Sequence, residues 1–558
     1  MKRQPLEPNA GVSAGAVDPV QPAAVAPEPA FASRPDSTIF SQLLKDPAAR
    51  ASTLIVFACT FWQVFALGFY LDDWSFMANS VHMGAAFSSV RWAAAYESTP
   101  QRPGATLLWF GLTSLFGAET ILWHLALFAA NVLLGLLMFR IVRQLAGRSY
   151  SFETARVLYL SVLLWFVLPW NAPLHFWPTM VPILLILGLS VCCFLFALWR
   201  WATGGWAFWL PFAGYLWACV GYEAVYFQWI PVLLLGVILV WDERASLKSV
   251  LLGASPFVAA QACALIWYAA SLRVNLGTQH KITADWPAVF KGNMLHLPRE
   301  ILASTPETAR LLSYAAVVSL LMIAGTYGYA ILGSRTRKSA LVSLSQLGAC
   351  LIGAVLSIFA FSLGGRQITG VGVDARAFLL LNFWLVIAVA LALTYCWTYY
   401  SAHRGRWQTP VLGLAFLLAG LALLVGHLQR ALDWSEGWRI EQKILAEAPI
   451  PEMKKMEPDA AVLVLKPFEF HGVPTLTQSW DVNAAMWNTH PAVFPHHFEV
   501  YNPWGGPLRW DGNRLWYPAS TLWVARNLYV WRPMEREFYK MTVPFRVNQD
   551  LSLVTTGR

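Results

Sequence analysis

The strongest constraint on the fold of this sequence is a series of long apolar runs between residues 52 and 428. A helix needs about 20 apolar residues to cross the ~30 Å hydrocarbon core of a bilayer, and the runs approach or exceed this length. They cover residues 52–71, 120–142, 154–169, 179–199, 206–222, 225–241, 248–271, 309–333, 339–362, 376–399 and 410–428. They predict an α-helical polytopic membrane protein with about eleven transmembrane helices, of which the third and fifth are near the lower limit of length.

The composition favours the same class of protein. Of the 558 residues, 57% are hydrophobic and only 13% are charged, whereas about one quarter of the residues in a soluble domain are charged. All seven cysteines lie inside apolar runs without metal-ligand spacing, which is typical of small buried side chains. The net charge of +9 does not indicate nucleic-acid binding, because most basic residues lie in short loops beside the runs.

The basic residues also predict the orientation of the helices. If the N-terminus is cytoplasmic, each inner connection carries Lys or Arg, as cytoplasmic loops usually do. These residues are Arg140, Arg143, Arg148, Arg156, Arg200, Arg244, Lys248, Arg335, Arg337, Lys338, Arg404 and Arg406. This orientation exports the loops 72–119 and 272–308 and everything after residue 428.

Three regions follow from these patterns. Residues 1–48 are rich in Pro and Ala and are predicted to be a disordered cytoplasmic tail. Residues 49–428 form the transmembrane domain, whose external loops contain predicted membrane-surface helices at 85–96 and 286–303 and a short interfacial or re-entrant helix at 104–116. Residues 429–558 are predicted to form a small extracytoplasmic α/β domain with a helix at 432–448 and a buried strand at 461–465.

A pair of acids follows the first apolar run directly. Asp72 and Asp73 lie at the outer end of this predicted helix, where carboxylates are costly to place and are often functional. A carboxylate within hydrogen-bond reach of an acceptor hydroxyl can act as a general base. The pair also fits a helix end followed by an Asx-type turn, which needs no catalytic role.

Several short motifs surround this pair in a defined order. They are Leu71-Asp72-Asp73-Trp74, Arg102-Pro103 in the first external loop, Gly117 before the second run, Trp123-His124 with Asn131 inside it, Gly221-Tyr222-Glu223 at an outer helix end and Asp374-Ala375-Arg376-Ala377-Phe378 at the start of a later helix. Over roughly residues 50–400 this pattern resembles the GT-C superfamily of membrane glycosyltransferases, which includes protein O-mannosyltransferases and lipid A aminoarabinose transferases. The resemblance does not extend to the exported C-terminal region.

The resemblance implies a GT-C fold and an enzyme that moves a sugar from a polyprenyl-phosphate carrier to an acceptor outside the cytoplasm. It implies that Asp72 is the general base and that Asp73 is its partner or the ligand of a divalent metal cation. Asp73 as the base is the nearest alternative. No other cofactor is predicted.

The predicted substrate-binding residues are Arg102, Glu223, Arg366 and Arg376. Arg366 and Arg376 are candidates to bind the donor phosphate, since guanidinium groups pair well with phosphate oxygens. Arg102 is predicted either to hold the first loop in place or to contact that phosphate itself. Glu223 is predicted to lie near the site or, alternatively, to be an interfacial residue at a helix end.

Two other functions fit the sequence. The chain is alternatively a transporter or flippase of lipid-linked saccharide, or a non-catalytic membrane partner in glycan assembly. A transporter is expected to have ionisable groups near mid-span and repeated halves, whereas the acids here lie at helix ends and the sequence shows no internal repeat. The predicted location is a bacterial inner membrane, and the acceptor is an envelope glycan, a lipid or a protein.

Overall fold

A computed structural model describes most of the chain. The described residues are 41–71, 73, 74, 77, 102–146, 151–274, 285–303, 310–334, 336–369, 373–402, 408–466, 469–493, 496–501, 508–517, 520–524, 526–548 and 550–555. Asp72, the predicted helix at 85–96 and most of the predicted N-terminal tail lie outside the described residues.

Helices make up the whole first part of the described chain. They are α1 (Pro47–Phe61), α2 (Gln63–Ala66), α3 (Pro103–Phe116), α4 (Thr120–Ala146), α5 (Phe152–Val162), α6 (Ala172–Phe176), α7 (Met180–Ala202), α8 (Trp209–Gly221), α9 (Trp229–Trp241), α10 (Leu247–Val274), α11 (Trp286–Ala303), α12 (Arg310–Leu332), α13 (Arg337–Leu363), α14 (Phe378–Ala402) and α15 (Gln408–Ala446). Local sequence sets several helix starts: Asp46 accepts a hydrogen bond from Ala49 N at 2.8 Å, and Pro47 and Pro103 occupy first helical positions.

The predicted fold class is confirmed, because every predicted apolar run is helical. Among the described residues, eight helices are long and apolar enough to cross a membrane. A ninth span results if the pair Phe152–Val167 and Pro169–Phe176, which is bent by 58°, counts as one crossing. The fifth predicted run forms the short helix α8, with 13 residues, and the eighth forms α12, with 23 residues.

The helix predicted at 286–303 is also confirmed, since α11 covers the same residues. Its location on the membrane surface stays a prediction. Helix α11 packs on α13, and α3 packs on α8. The crossing of α3 and α8 is close: a Cβ added to Gly104 would lie 3.0 Å from the Cα of Gly221. Both contacts lie at ends of helices that the predicted orientation places outside.

The prediction of a separate helix at 432–448 was wrong, because the last apolar run and this segment form the single helix α15. Its 39 residues rise about 1.5 Å each, so the helix is nearly twice as long as the hydrocarbon core is thick. The apolar part of α15 therefore crosses the membrane, and its polar part projects beyond it.

The described part of the C-terminal region contains eleven strands and two further α-helices, α16 (Ile450–Met453) and α17 (Ser479–Thr489). The strands are β1 (Ala460–Val464), β2 (Glu469–Phe470), β3 (Val473–Pro474), β4 (His497–Val500), β5 (Leu508–Trp510), β6 (Arg514–Tyr517), β7 (Ser520–Val524), β8 (Asn527–Arg532), β9 (Glu537–Lys540), β10 (Phe545–Val547) and β11 (Leu553–Thr555). One mixed sheet has the order β4-β1-β8-β9, and in it β1 is parallel to β4 and β8. A second sheet is antiparallel and has the order β11-β10-β5-β6-β7. The strands β2 and β3 pair with each other. The predicted strand at 461–465 corresponds to the buried central strand β1.

The projecting part of α15 packs directly against the segment that follows α2. A Cβ added to Gly68 would lie 2.0 Å from Cδ2 of Trp438, so only glycine fits there.

We expect Gly68→Ala to lower the free energy of unfolding by about 1–3 kcal/mol, because the methyl group forces the Trp438 ring away. Thermal unfolding in detergent measures this change. Gly111→Ala is the control, since a Cβ there meets nothing within 4 Å, and a midpoint equal to that of the control would contradict the prediction.

Candidate functional site

The segment that carries the acid pair forms a tight turn after α2. Leu71 adopts a positive φ of 48°, which is unusual for a branched side chain and is the kind of local strain found at functional sites. Backbone hydrogen bonds from Asp73 N to Tyr70 O and from Trp74 N to Leu71 O close the turn. The turn fixes the backbone position of Asp73, one of the two acids.

The carboxylate of Asp73 stabilises this turn. Its Oδ2 accepts a hydrogen bond from Tyr70 N at 2.9 Å, and its Oδ1 accepts one from the hydroxyl of Thr179. Asp73 is fully buried. Each carboxylate oxygen therefore already accepts one hydrogen bond inside the protein.

Trp177 connects the turn to one of the predicted phosphate-binding arginines. It follows the bent pair of helices, and its Nε1 donates a hydrogen bond to Tyr70 O at 3.0 Å. The guanidinium of Arg376 lies over the Trp177 ring, with its central carbon 5.7 Å from the ring centroid. The acid turn and Arg376 therefore contact the same indole, the first at its N–H and the second over its ring.

A cavity of about 200 Å³ brings the four predicted substrate-binding residues together. Arg102 precedes α3, Glu223 follows α8, Arg366 follows α13 and Arg376 precedes α14. They come from four separate helix ends, and all four line this cavity. Asp73 is not one of its lining residues, and Asp72 lies outside the described residues.

Arg102 and Glu223 form an ion pair at the edge of this cavity. Arg102 Nε donates to Glu223 Oε2 at 2.7 Å, and Arg102 Nη2 donates to Glu223 Oε1. The close crossing at Gly104 and Gly221 brings these two residues into this bidentate arrangement. With Arg366 and Arg376 the described lining carries three guanidinium groups and one carboxylate, which gives a formal charge of +2.

The remaining lining is aromatic and apolar, and it includes Tyr222, Tyr226, Phe227, Leu265, Tyr268 and Phe361. The Tyr222 ring lies under the guanidinium of Arg102, 5.4 Å from its central carbon. The buried Tyr222 hydroxyl has no hydrogen-bond partner among the described residues. The charges of Arg376, Arg102 and Arg366 act on this hydroxyl. A buried polar group without a partner is costly, so this hydroxyl indicates a polar ligand in the cavity.

We expect Tyr222→Phe to raise the free energy of unfolding of the ligand-free protein by up to about 1–3 kcal/mol, because it removes an unpaired buried hydroxyl. Thermal unfolding should therefore show a higher midpoint without ligand and a smaller stabilisation by added polyprenyl phosphate. Tyr327→Phe is the matched control with the opposite sign, since the Tyr327 hydroxyl is bonded to Ser343 Oγ at 2.9 Å. A destabilised Tyr222→Phe protein would show that the hydroxyl has a partner.

The sequence did not single out Asn293, which holds the loop that carries Arg366. Asn293 is a buried residue of α11. Its Nδ2 donates to Ser362 Oγ at 2.9 Å and to Arg366 O at 3.0 Å, and its Oδ1 accepts from Ile368 N at 3.0 Å. The helix α11 thus fixes the backbone of the Arg366 loop.

Two polar residues of α4 lie near the site without entering the cavity. His124 Nε2 is 3.0 Å from Gly68 O, beside the turn that carries the acids. Asn131 donates to Leu174 O at 2.8 Å and accepts from Trp165 Nε1. Both make polar contacts between helices or segments, and of the two only His124 contacts the segment beside the turn.

The described residues do not form a metal site. No group of three or more His, Cys, Asp or Glu side chains within the described ranges is arranged to hold a metal ion. The Asp73 carboxylate is buried and engaged with Tyr70 and Thr179. A divalent cation at Asp73 stays a prediction, and no step below depends on one.

No protein-family model and no curated protein matches this chain. Among solved structures, the chain is similar to the crystal structure of ArnT from Cupriavidus metallidurans bound to undecaprenyl phosphate. The TM-score is 0.43 and the sequence identity is 13%, over 81% of this chain and 85% of that chain.

Proposed function

We propose that this chain is a membrane glycosyltransferase that moves a sugar from a polyprenyl-phosphate carrier to an acceptor outside the cytoplasm of a bacterial cell. The observation that carries the proposal is the cavity in which Arg102, Glu223, Arg366 and Arg376 meet beside the turn bearing the acid pair. A lipid-linked sugar phosphate combines an anionic group with an apolar tail, and this cavity combines a positive charge with apolar walls at the ends of membrane helices.

The arginines suit the donor and the leaving group. Attack of an acceptor oxygen on the anomeric carbon of the sugar breaks the bond between that carbon and the phosphate oxygen. The released phosphate gains one negative charge, and cations already in place stabilise this charge as it develops. Arg366 and Arg376 take this role, because both guanidinium groups line the cavity.

The acids suit the acceptor. We assign Asp72 as the general base that removes the proton of the attacking acceptor group. Asp73 is buried, and its carboxylate accepts two hydrogen bonds from the protein. It is therefore suited to hold the turn rather than to exchange protons with a substrate. This division of roles keeps Asp73 as the partner of Asp72.

Transport of a lipid-linked saccharide is the second candidate function. The arrangement favours transfer, since the charged groups gather at one end of the helix bundle whereas transporters place their sites near the membrane midplane. The purified protein in nanodiscs, given a polyprenyl-phosphate sugar and an extract of cell-envelope acceptors, should release polyprenyl phosphate. Movement of labelled donor across liposomes without its cleavage would instead support the transporter.

A further inference from the structure

One buried carboxylate joins the acid turn, the last transmembrane helix and the C-terminal domain. Glu441 lies on the projecting part of α15 and is fully buried. Its Oε2 accepts a hydrogen bond from Trp74 Nε1 at 3.1 Å, and its Oε1 accepts one from Leu476 N at 3.0 Å. Trp74 directly follows the acid pair, and Leu476 belongs to the C-terminal domain.

The same face of α15 carries further contacts to the acid turn. Trp434, Trp438 and Glu441 are spaced four and three residues apart, which places them on one side of the helix. The Tyr70 hydroxyl donates to Trp434 O at 2.7 Å. The Trp74 ring stacks on Trp438, with 5.9 Å between ring centroids. The segment from Tyr70 to Trp74 is therefore fixed on α15 at both ends.

Burial raises the pKa of Glu441 to about 8, and apolar packing alone does not account for an ionisable group at this position. A buried carboxylate is costly unless hydrogen bonds and a counter-charge compensate it. Both are present: the two donors described above, and the buried Lys466, which interacts electrostatically with Glu441. Burial lowers the pKa of Lys466 to about 8, and Lys466 Nζ donates to Thr475 O, next to Leu476. Such charged networks can specify one arrangement where an apolar contact would allow several.

We propose that Glu441 is a positioning residue for the catalytic acids. By holding Trp74 it sets the orientation of the adjacent acid pair, and by holding Leu476 it makes this orientation depend on the docked C-terminal domain. This inference rests on the proposed glycosyltransferase function. It gives the C-terminal domain a role in catalysis without requiring that the domain contact the sugar.

The test is the Glu441→Gln variant of the full-length protein. Trp74 and Leu476 donate to different oxygens of Glu441. Glutamine replaces one of these oxygens by an NH2 group, which cannot accept, so one of the two donors loses its acceptor at the observed geometry. A small displacement of catalytic groups costs up to about 100-fold in rate, so we expect a fall in kcat on the order of tenfold to 100-fold. The KM for the donor should stay close to that of the wild type, because the arginines of the cavity are unchanged.

Glu436→Gln is the matched control. It is the same substitution on the same helix, at an accessible residue that pairs with Arg439, and it should leave kcat unchanged. Trp74→Phe is the second variant. It keeps most of the aromatic packing and removes the indole N–H that donates a hydrogen bond to Glu441. The losses in kcat of Glu441→Gln and Trp74→Phe should not add fully in the double variant, because both variants disturb the contact between Trp74 and residue 441.

A purely structural role predicts a different result. It would lower the unfolding midpoint and the amount of folded protein while kcat per folded molecule stayed at the wild-type value in both variants, and this outcome would overturn the proposal. If Glu441→Gln does not fold, the kcat of Trp74→Phe decides. If the wild-type protein shows no transfer, the proposed function fails separately, and backbone hydrogen exchange at residues 70–74, expected to be faster in Glu441→Gln than in Glu436→Gln, tests the positioning by itself.

Discussion

Replacing Asp72 by Asn should lower kcat for sugar transfer by about 10²–10⁴-fold, the usual contribution of a positioned general base. The amide cannot take the proton of the acceptor, whereas the arginines proposed to bind the donor remain in place. The unfolding midpoint should stay near the wild-type value. Initial rates of polyprenyl-phosphate release, normalised to folded protein, measure the effect.

Asp73→Asn provides the comparison that separates the two acids. Its carboxylate is buried and accepts hydrogen bonds from Tyr70 N and the Thr179 hydroxyl. Hydrogen bonds to charged groups contribute about 1.5–3 kcal/mol, so we expect Asp73→Asn to lower the unfolding midpoint. The opposite pattern, an inactive but stable Asp73→Asn protein together with an active Asp72→Asn protein, would make Asp73 the base.

Much of this arrangement follows from local patterns in the sequence. Apolar runs and basic inner loops predict which helix ends face outside. Arg102, Glu223 and Arg376 belong to the motifs that carry the resemblance to GT-C enzymes, and these three residues and Arg366 lie at or near such ends. The structure places these four residues around one cavity, although they come from distant parts of the chain. Charged side chains at the ends of packed membrane helices avoid the lipid and therefore tend to face a shared polar cavity.

Other parts of the site have no sequence signature. Asn293 holds the Arg366 loop through two backbone groups and the hydroxyl of Ser362, and a side chain that binds backbone shows no partner in the sequence. Trp177 and Thr179 lie in a region that reads only as an apolar stretch with prolines, yet they contact Arg376, Tyr70 and Asp73. Their roles depend on the bend between two helical segments, which composition does not predict.

The continuous helix α15 is a further point at which the structure differs from the prediction. A fall in hydropathy after residue 428 was interpreted as the end of a helix, but it marks only the end of the membrane. Helices end where backbone geometry or hydrogen bonding changes, and residues 411–448 contain no proline that would force such a change. Because α15 continues, Trp434, Trp438 and Glu441 reach the acid turn on a rigid element, and the C-terminal domain is connected to the site without a flexible linker.

Replacing Arg376 by Gln should weaken binding of polyprenyl phosphate on the order of tenfold to 100-fold, because a charge-assisted hydrogen bond contributes about 1.5–3 kcal/mol. Arg376→Lys should recover only part of this loss. Lysine keeps the charge but lacks the planar group that lies over the Trp177 ring and binds two phosphate oxygens at once. Titration of nanodisc-embedded protein with polyprenyl phosphate measures the affinity.

Arg337→Gln is the matched control, since Arg337 begins α13 at the end of the helix away from the cavity. It should bind polyprenyl phosphate with wild-type affinity. Arg366→Gln should weaken binding as Arg376→Gln does, because both guanidinium groups line the cavity. If neither variant changes the affinity, the phosphate does not bind in this cavity. If only Arg366→Gln does, the phosphate lies towards the loop held by Asn293, and Arg376 serves instead to fix Trp177 and the acid turn behind it.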